Sequence, residues 1–125
     1  MRGNRGKDTR PERQLRMLLR DVGYPGYRLH WKRAPGSPDI AYPGRKVAIF
    51  VNGCFWHRCP KCQLAAPKSH PGFWGKKFEL NSERDERKVR ELEALGWMVL
   101  TVWECELRDD PDAAVERVTR ALRAG

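Results

Sequence analysis

The run Trp97-Met98-Val99-Leu100-Thr101-Val102-Trp103 is apolar at nearly every position. Successive strand side chains point to opposite faces, so a run of this kind reads as a strand buried on both sides. A charged segment over about residues 73–95 precedes it, with Phe78, Val89, Leu92 and Leu95 at inward positions of a helix that Gly96 ends. Helix followed by buried strand is the pattern of an α/β crossover. Lys46 to Val51 is a second β-branched apolar run and the best central strand. Asp39-Ile40-Ala41-Tyr42 is a short strand, and Pro43-Gly44 turns it back into a hairpin with that run.

Upstream, Thr9-Arg10-Pro11-Glu12 has the form of a capping box: Thr9 caps, Pro11 sits in the first turn and Glu12 reaches back. Leu15, Leu18, Leu19 and Val22 follow at helical spacing and Gly23 stops the helix, giving a helix over 10–22. Residues 23–36 are a turn-rich approach, and Asp109-Asp110-Pro111 starts a last helix with Val115, Val118, Ala121 and Leu122 on one stripe. The expected order is α-β-β-α-β-α, in one α/β domain of residues 9–125. Residues 1–8, basic and without apolar anchors, form a flexible arm.

The chain has 125 residues, with 25 Lys and Arg against 16 Asp and Glu. Residues 1–33 hold ten basic and three acidic residues, which suggests a polyanion approaching that side. The N-terminus lacks the apolar stretch of a signal peptide, and no run reaches the roughly 18 apolar residues of a membrane span. A cytoplasmic protein is expected, in which thiols stay reduced.

Four cysteines then matter. Cys54, Cys59 and Cys62 are clustered, and Cys105 follows at the end of the buried strand. Four thiolates suit a closed tetrahedral zinc site that staples the irregular loop to the sheet. Two disulfides, a redox Cys-x-x-Cys and independent buried thiols are the alternatives, each less suited to this spacing in a reducing compartment.

Three further groups have chemical potential. Asp39 at a strand start is placed to hold Mg²⁺, which prefers a few oxygens, water and a substrate phosphate. His57 can take a proton from water near neutral pH. Each also has a plain reading: Pro-Asp as turn chemistry, His57 as a zinc ligand or solvated loop residue, Glu12 as a cap. Phe55, Trp56 and Trp74 either enter a base stack or pack over the cysteine loop.

Arg5-Gly6-Lys7-Asp8-Thr9-Arg10-Pro11-Glu12, Tyr27-Arg28-Leu29-His30, Pro35-Gly36-Ser37-Pro38-Asp39, Phe50-Val51-Asn52-Gly53-Cys54-Phe55-Trp56-His57, Phe73-Trp74, Gly96-Trp97 and Trp103-Glu104-Cys105 occur in that order. Together they resemble the very-short-patch-repair (Vsr) DNA mismatch endonucleases, over about residues 5–108. The resemblance implies a restriction-endonuclease-like (PD-(D/E)xK) fold, a mixed sheet flanked by helices, with a structural zinc site. It also implies an Mg²⁺-dependent endonuclease that nicks one strand of double-stranded DNA 5′ to the mispaired T of a T·G mismatch.

By that resemblance Asp39 and the Val51 backbone carbonyl bind Mg²⁺, His57 activates water and Glu12 helps organise the site. Phe55, Trp56 and Trp74 insert beside the mismatch. From charge alone, Arg5, Lys7 and Arg10 of the basic N-terminal segment are expected to order across the DNA backbone. A monomer working with other mismatch-repair proteins at a prokaryotic nucleoid is the expected setting. Three departures stand out. Ala48-Ile49-Phe50 replaces the superfamily's Glu-x-Lys. Asn52 stands where relatives often carry histidine, and is expected to alter the rate or proton route. Cys59 often aligns with a histidine, which makes the zinc site all-cysteine. Two other functions remain open: a nuclease of the same fold acting on modified or invading DNA, and a zinc-stabilised DNA-binding module of weak or no activity.

Overall fold

A computed structural model describes residues 9–53 and 71–124. Its elements are α1 (Arg10–Asp21), β1 (Arg28–Leu29), β2 (Ile40–Tyr42), β3 (Val47–Asn52), α2 (Pro71–Ala94), β4 (Met98–Trp103), α3 (Glu104–Asp109) and α4 (Pro111–Ala124). The described strands form one sheet in the order β1-β2-β3-β4. The pairs β1–β2 and β2–β3 are antiparallel, and β3–β4 is parallel. The expected mixed α/β architecture, hairpin and crossover are therefore present.

Alternation along β3 divides the core. Val47, Ile49 and Val51 join Leu15 and Leu19 of α1 and Val115, Val118 and Leu122 of α4 in the larger cluster. Ala48 and Phe50 face the other way, packing with Leu92 of α2 and with Ala34. The sheet is thus covered by α1, α3 and α4 on one side and by α2 on the other.

β4 differs from its sequence reading. Among the described strands it lies at the edge of the sheet, with Val102 buried, most of its other residues half-buried and Met98 exposed. An apolar run on both faces reports cover above and below, and is blind to whether a further strand lies alongside. The two-residue β1 and the short α3 also went unpredicted. α3 is held by Glu106, whose Oε1 accepts from the Trp103 N–H at 2.8 Å and whose carboxylate meets Arg117 Nη2 at 3.0 Å.

The segment between β1 and β2 is closed by two backbone bonds, His30 N–H to the Asp39 carbonyl at 3.1 Å and Trp31 N–H to Pro38 at 3.2 Å. Trp31 leans on Trp97 with ring centroids 5.7 Å apart, and Ala34 is buried beneath α2. Gly36 permits this approach. Its φ is +76°, and a Cβ there would lie 2.6 Å from Lys88 Cγ. Gly36→Ala is expected to destabilise the protein by about 1–3 kcal/mol, since backbone strain and a close contact to the stem of Lys88 coincide. Urea denaturation, read as a lower midpoint at unchanged slope, checks this.

Candidate active site

α1 begins as its sequence implies. Thr9 Oγ1 accepts from the Glu12 N–H at 3.4 Å, and Pro11 occupies the first turn. Glu12 shares a helical stripe with Leu15 and Leu19, so packing that stripe carries the carboxylate inward to 1% exposure. Glu12 Oε1 lies 3.3 Å from His30 Nε2. The capping role of Thr9 holds, whereas the Glu12 side chain, expected to reach back to the cap, is directed to His30.

His30 comes from the residue after β1. Its φ of +45° is left-handed, a conformation uncommon outside glycine but several-fold enriched in Asn, Asp and His. Its ring stands between two carboxylates, with Nδ1 3.8 Å from Asp39 Oδ1. Asp39 precedes β2 and is oriented from its other side, because Oδ2 accepts the Val51 N–H at 2.8 Å. Three segments distant in sequence thus converge, and ligand atoms of Glu12, His30 and Asp39 all lie within 4.8 Å of one another. Among the described residues this is the one group of three or more His, Cys, Asp or Glu side chains able to hold a metal ion. Its donor chemistry fits a divalent cation: two carboxylates supply hard oxygens and charge, and an imidazole adds a nitrogen.

The expected residues divide as follows. Glu12 and Asp39 come together, and Val51 is bonded to Asp39 through its N–H. Asn52 ends β3, where it lines a cavity with Ser82, Asp85 and Val89 of α2 and Thr101 and Trp103 of β4. That cavity lies on the opposite side of β3 from the Val51 side chain. Arg10 is exposed at the start of α1. Cys105 is buried at the start of α3. Cys54, Cys59, Cys62, Phe55, Trp56, His57, Arg5 and Lys7 lie outside the described residues, so three of the four expected zinc ligands do too. Trp74 falls within α2, its side chain outside those described.

His30 is the member of the site to which its sequence position alone assigned no role. The available signal was local: a histidine in an extended segment, nine residues before Asp39, on the far side of a turn-rich stretch that could close back on itself.

Residues 1–63 match the family described as DNA mismatch endonuclease Vsr. The chain is 50% identical over 107 residues to the Type II nicking enzyme V.XorIIP of Xanthomonas oryzae pv. oryzae, covering 84% of this chain and 76% of that protein. It is 41% identical over 119 residues to the Type II nicking enzyme V.NmeAIP of Neisseria meningitidis, covering 94% and 82%. It is 37% identical over 122 residues to the DNA mismatch endonuclease Vsr of Escherichia coli, covering 98% and 78%.

The Val51 bond separates two duties of Asp39. Asp39→Asn retains an oxygen acceptor for the Val51 N–H, whereas Asp39→Ala removes it. The Ala variant is expected to lose about 1–2 kcal/mol of stability and the Asn variant less than half of that, as compared by thermal or urea unfolding.

Proposed function

The chain belongs to the DNA mismatch endonuclease Vsr family and is an endodeoxyribonuclease, and from that premise we propose that it nicks one strand 5′ to the mispaired T of a T·G mismatch with Mg²⁺ as cofactor. The observation that carries the chemical part of the proposal is the convergence of Glu12, His30 and Asp39, with Asp39 oriented by the Val51 N–H. Asp39 and the Val51 carbonyl would hold the cation. Bound there, Mg²⁺ would supply charge stabilisation for the phosphodiester in its transition state and lower the pKa of water.

The chain's own residues do the rest. Glu12 organises the acidic end of the site from α1. His57 accepts the proton of the attacking water as its oxygen bonds to phosphorus and the O3′–P bond breaks, and the leaving 3′-oxygen takes a proton from solvent, which gives a 5′-phosphate and a 3′-hydroxyl. Asn52 cannot carry a proton near neutral pH, and its amide is a hydrogen-bond donor toward a phosphate. Phe55, Trp56 and Trp74 wedge into the stack, where unstacking costs least at a mismatch. Arg5, Lys7 and Arg10 neutralise phosphates, which makes binding salt-dependent.

No helix among the described residues is long and apolar enough to cross a membrane. A cytoplasmic, nucleoid-associated monomer acting beside other mismatch-repair proteins is the setting we propose.

Labelled duplexes with and without a T·G pair test the activity in Mg²⁺. Nicking of the mismatched duplex alone is expected, falling about a thousandfold or more in Asp39→Asn, which keeps the Val51 bond. Equal cutting of matched DNA would favour a target in modified or invading DNA, and binding without cutting in any metal would leave a DNA-binding module. For Cys54, Cys59, Cys62 and Cys105 we propose a structural Zn²⁺. One zinc equivalent per chain is expected, whose removal by a chelator unfolds the protein; a metal-free, fully folded chain would sink the idea.

A further inference from the structure

We propose that His30 is a third protein donor to the catalytic cation, so that the site has a mixed nitrogen and oxygen donor set and prefers Mn²⁺ to Mg²⁺. The inference rests on the proposed cation role of Asp39 and adds to it a ligand and a metal preference.

Three observations carry it. The first is convergence: His30 Nε2 is 3.3 Å from Glu12 Oε1 and Nδ1 is 3.8 Å from Asp39 Oδ1. Donor atoms of all three residues fit within 4.8 Å, although they arrive from α1, from the end of β1 and from the start of β2.

The second is the way the imidazole is delivered. The His30 backbone adopts φ +45°, and its N–H is bonded to the carbonyl of Asp39 itself. The same bond that closes the segment therefore sets the backbones that carry the imidazole and the carboxylate opposite each other. Left-handed backbone at a non-glycine residue is tolerated where the surrounding structure over-determines it, and such positions cluster at functional sites.

The third is the division of the Asp39 carboxylate. Oδ2 takes the Val51 N–H at 2.8 Å, and Oδ1 is the oxygen turned to His30. An oriented carboxylate oxygen, an imidazole nitrogen and a buried carboxylate make a compact donor set. Mg²⁺ favours oxygen ligands and retains its waters, while first-row transition ions accept imidazole readily. A histidine in the set therefore shifts preference toward Mn²⁺.

The test is direct metal binding to the full chain in the absence of DNA. Mn²⁺ is followed by electron paramagnetic resonance and Mg²⁺ by calorimetry, for wild type, His30→Asn, His30→Gln and Asp39→Asn. Asn tolerates a left-handed backbone, so His30→Asn keeps the turn, and unfolding curves establish that each variant is folded. Wild type is expected to bind Mn²⁺ at least about tenfold more tightly than Mg²⁺. Both His30 variants are expected to lose about tenfold or more in Mn²⁺ affinity while Mg²⁺ affinity changes less than about threefold.

Equal affinity of wild type for the two ions would overturn the inference. So would equal losses for both ions in the His30 variants, since that would make His30 a positioning residue for the carboxylates. Unchanged binding of both ions in Asp39→Asn would overturn the cation role of Asp39 and the inference with it. Loss in Asp39→Asn without metal selectivity at His30 would overturn the inference alone.

Discussion

A carboxylate taken almost wholly out of water is the most demanding feature of this fold. Glu12 is at 1% exposure because it stands on the same stripe of α1 as Leu15 and Leu19, both fully buried. A buried ion without compensation costs several kcal/mol even after the structure relaxes. The helix cannot pack its leucines without carrying Glu12 inward, so the rest of the fold has to meet that carboxylate with polar groups. His30 Nε2 stands 3.3 Å from it. The left-handed turn after β1, the closure of the following segment by bonds to Pro38 and Asp39, and its anchoring through Trp31 and Ala34 together bring His30 there. Core packing and site assembly are one arrangement seen from two sides.

β3 is the second constraint. Among the described strands it is the longest that is buried along nearly its whole length, and its alternation sends Ile49 and Val51 toward α1 and α4, and Phe50 toward α2. Neighbouring residues at its end therefore serve different neighbourhoods. The backbone of Val51 is tied to Asp39, while the side chain of Asn52 lines a cavity with α2 and β4. The backbone of Val51 orients Asp39 while its side chain joins the larger core cluster.

Much of this was legible beforehand because it rests on local chemistry. Thr9 and Pro11 announce the start of α1, Gly23 and Gly96 close two helices with φ of +100° and +88°, and Asp110 caps α4 by accepting the Ala113 N–H at 3.2 Å. The alternation of Val47 to Val51 gives the central strand. What sequence position hides is lateral and long-range. The edge placement of β4 depends on which strands lie beside it, and β1 is a two-residue strand defined only by its partner β2. His30 belongs to the same class. Its meaning comes from Glu12 and Asp39, and only the pairing of Leu29 with Ile40 sets it opposite Asp39. At Glu12 only the backbone half of the expected cap is seen, its N–H donating to Thr9 Oγ1, while its side chain lies against His30.

The absence of a Glu-x-Lys pair on β3 has a structural counterpart. Ala48 and Ile49 are fully buried and Phe50 is 8% exposed. Alternation would aim acidic and basic side chains at positions 48 and 50 into the apolar layer with Leu92 and Ala34, where a buried charge is costly unless it is paired. β3 is therefore committed to packing, and polar groups for a site at its end must come from elements around it. α1 contributes Glu12, the end of β1 contributes His30 and the start of β2 contributes Asp39. β3 contributes backbone, through the Val51 N–H. A strand of this kind can position a charged site without carrying a charge itself.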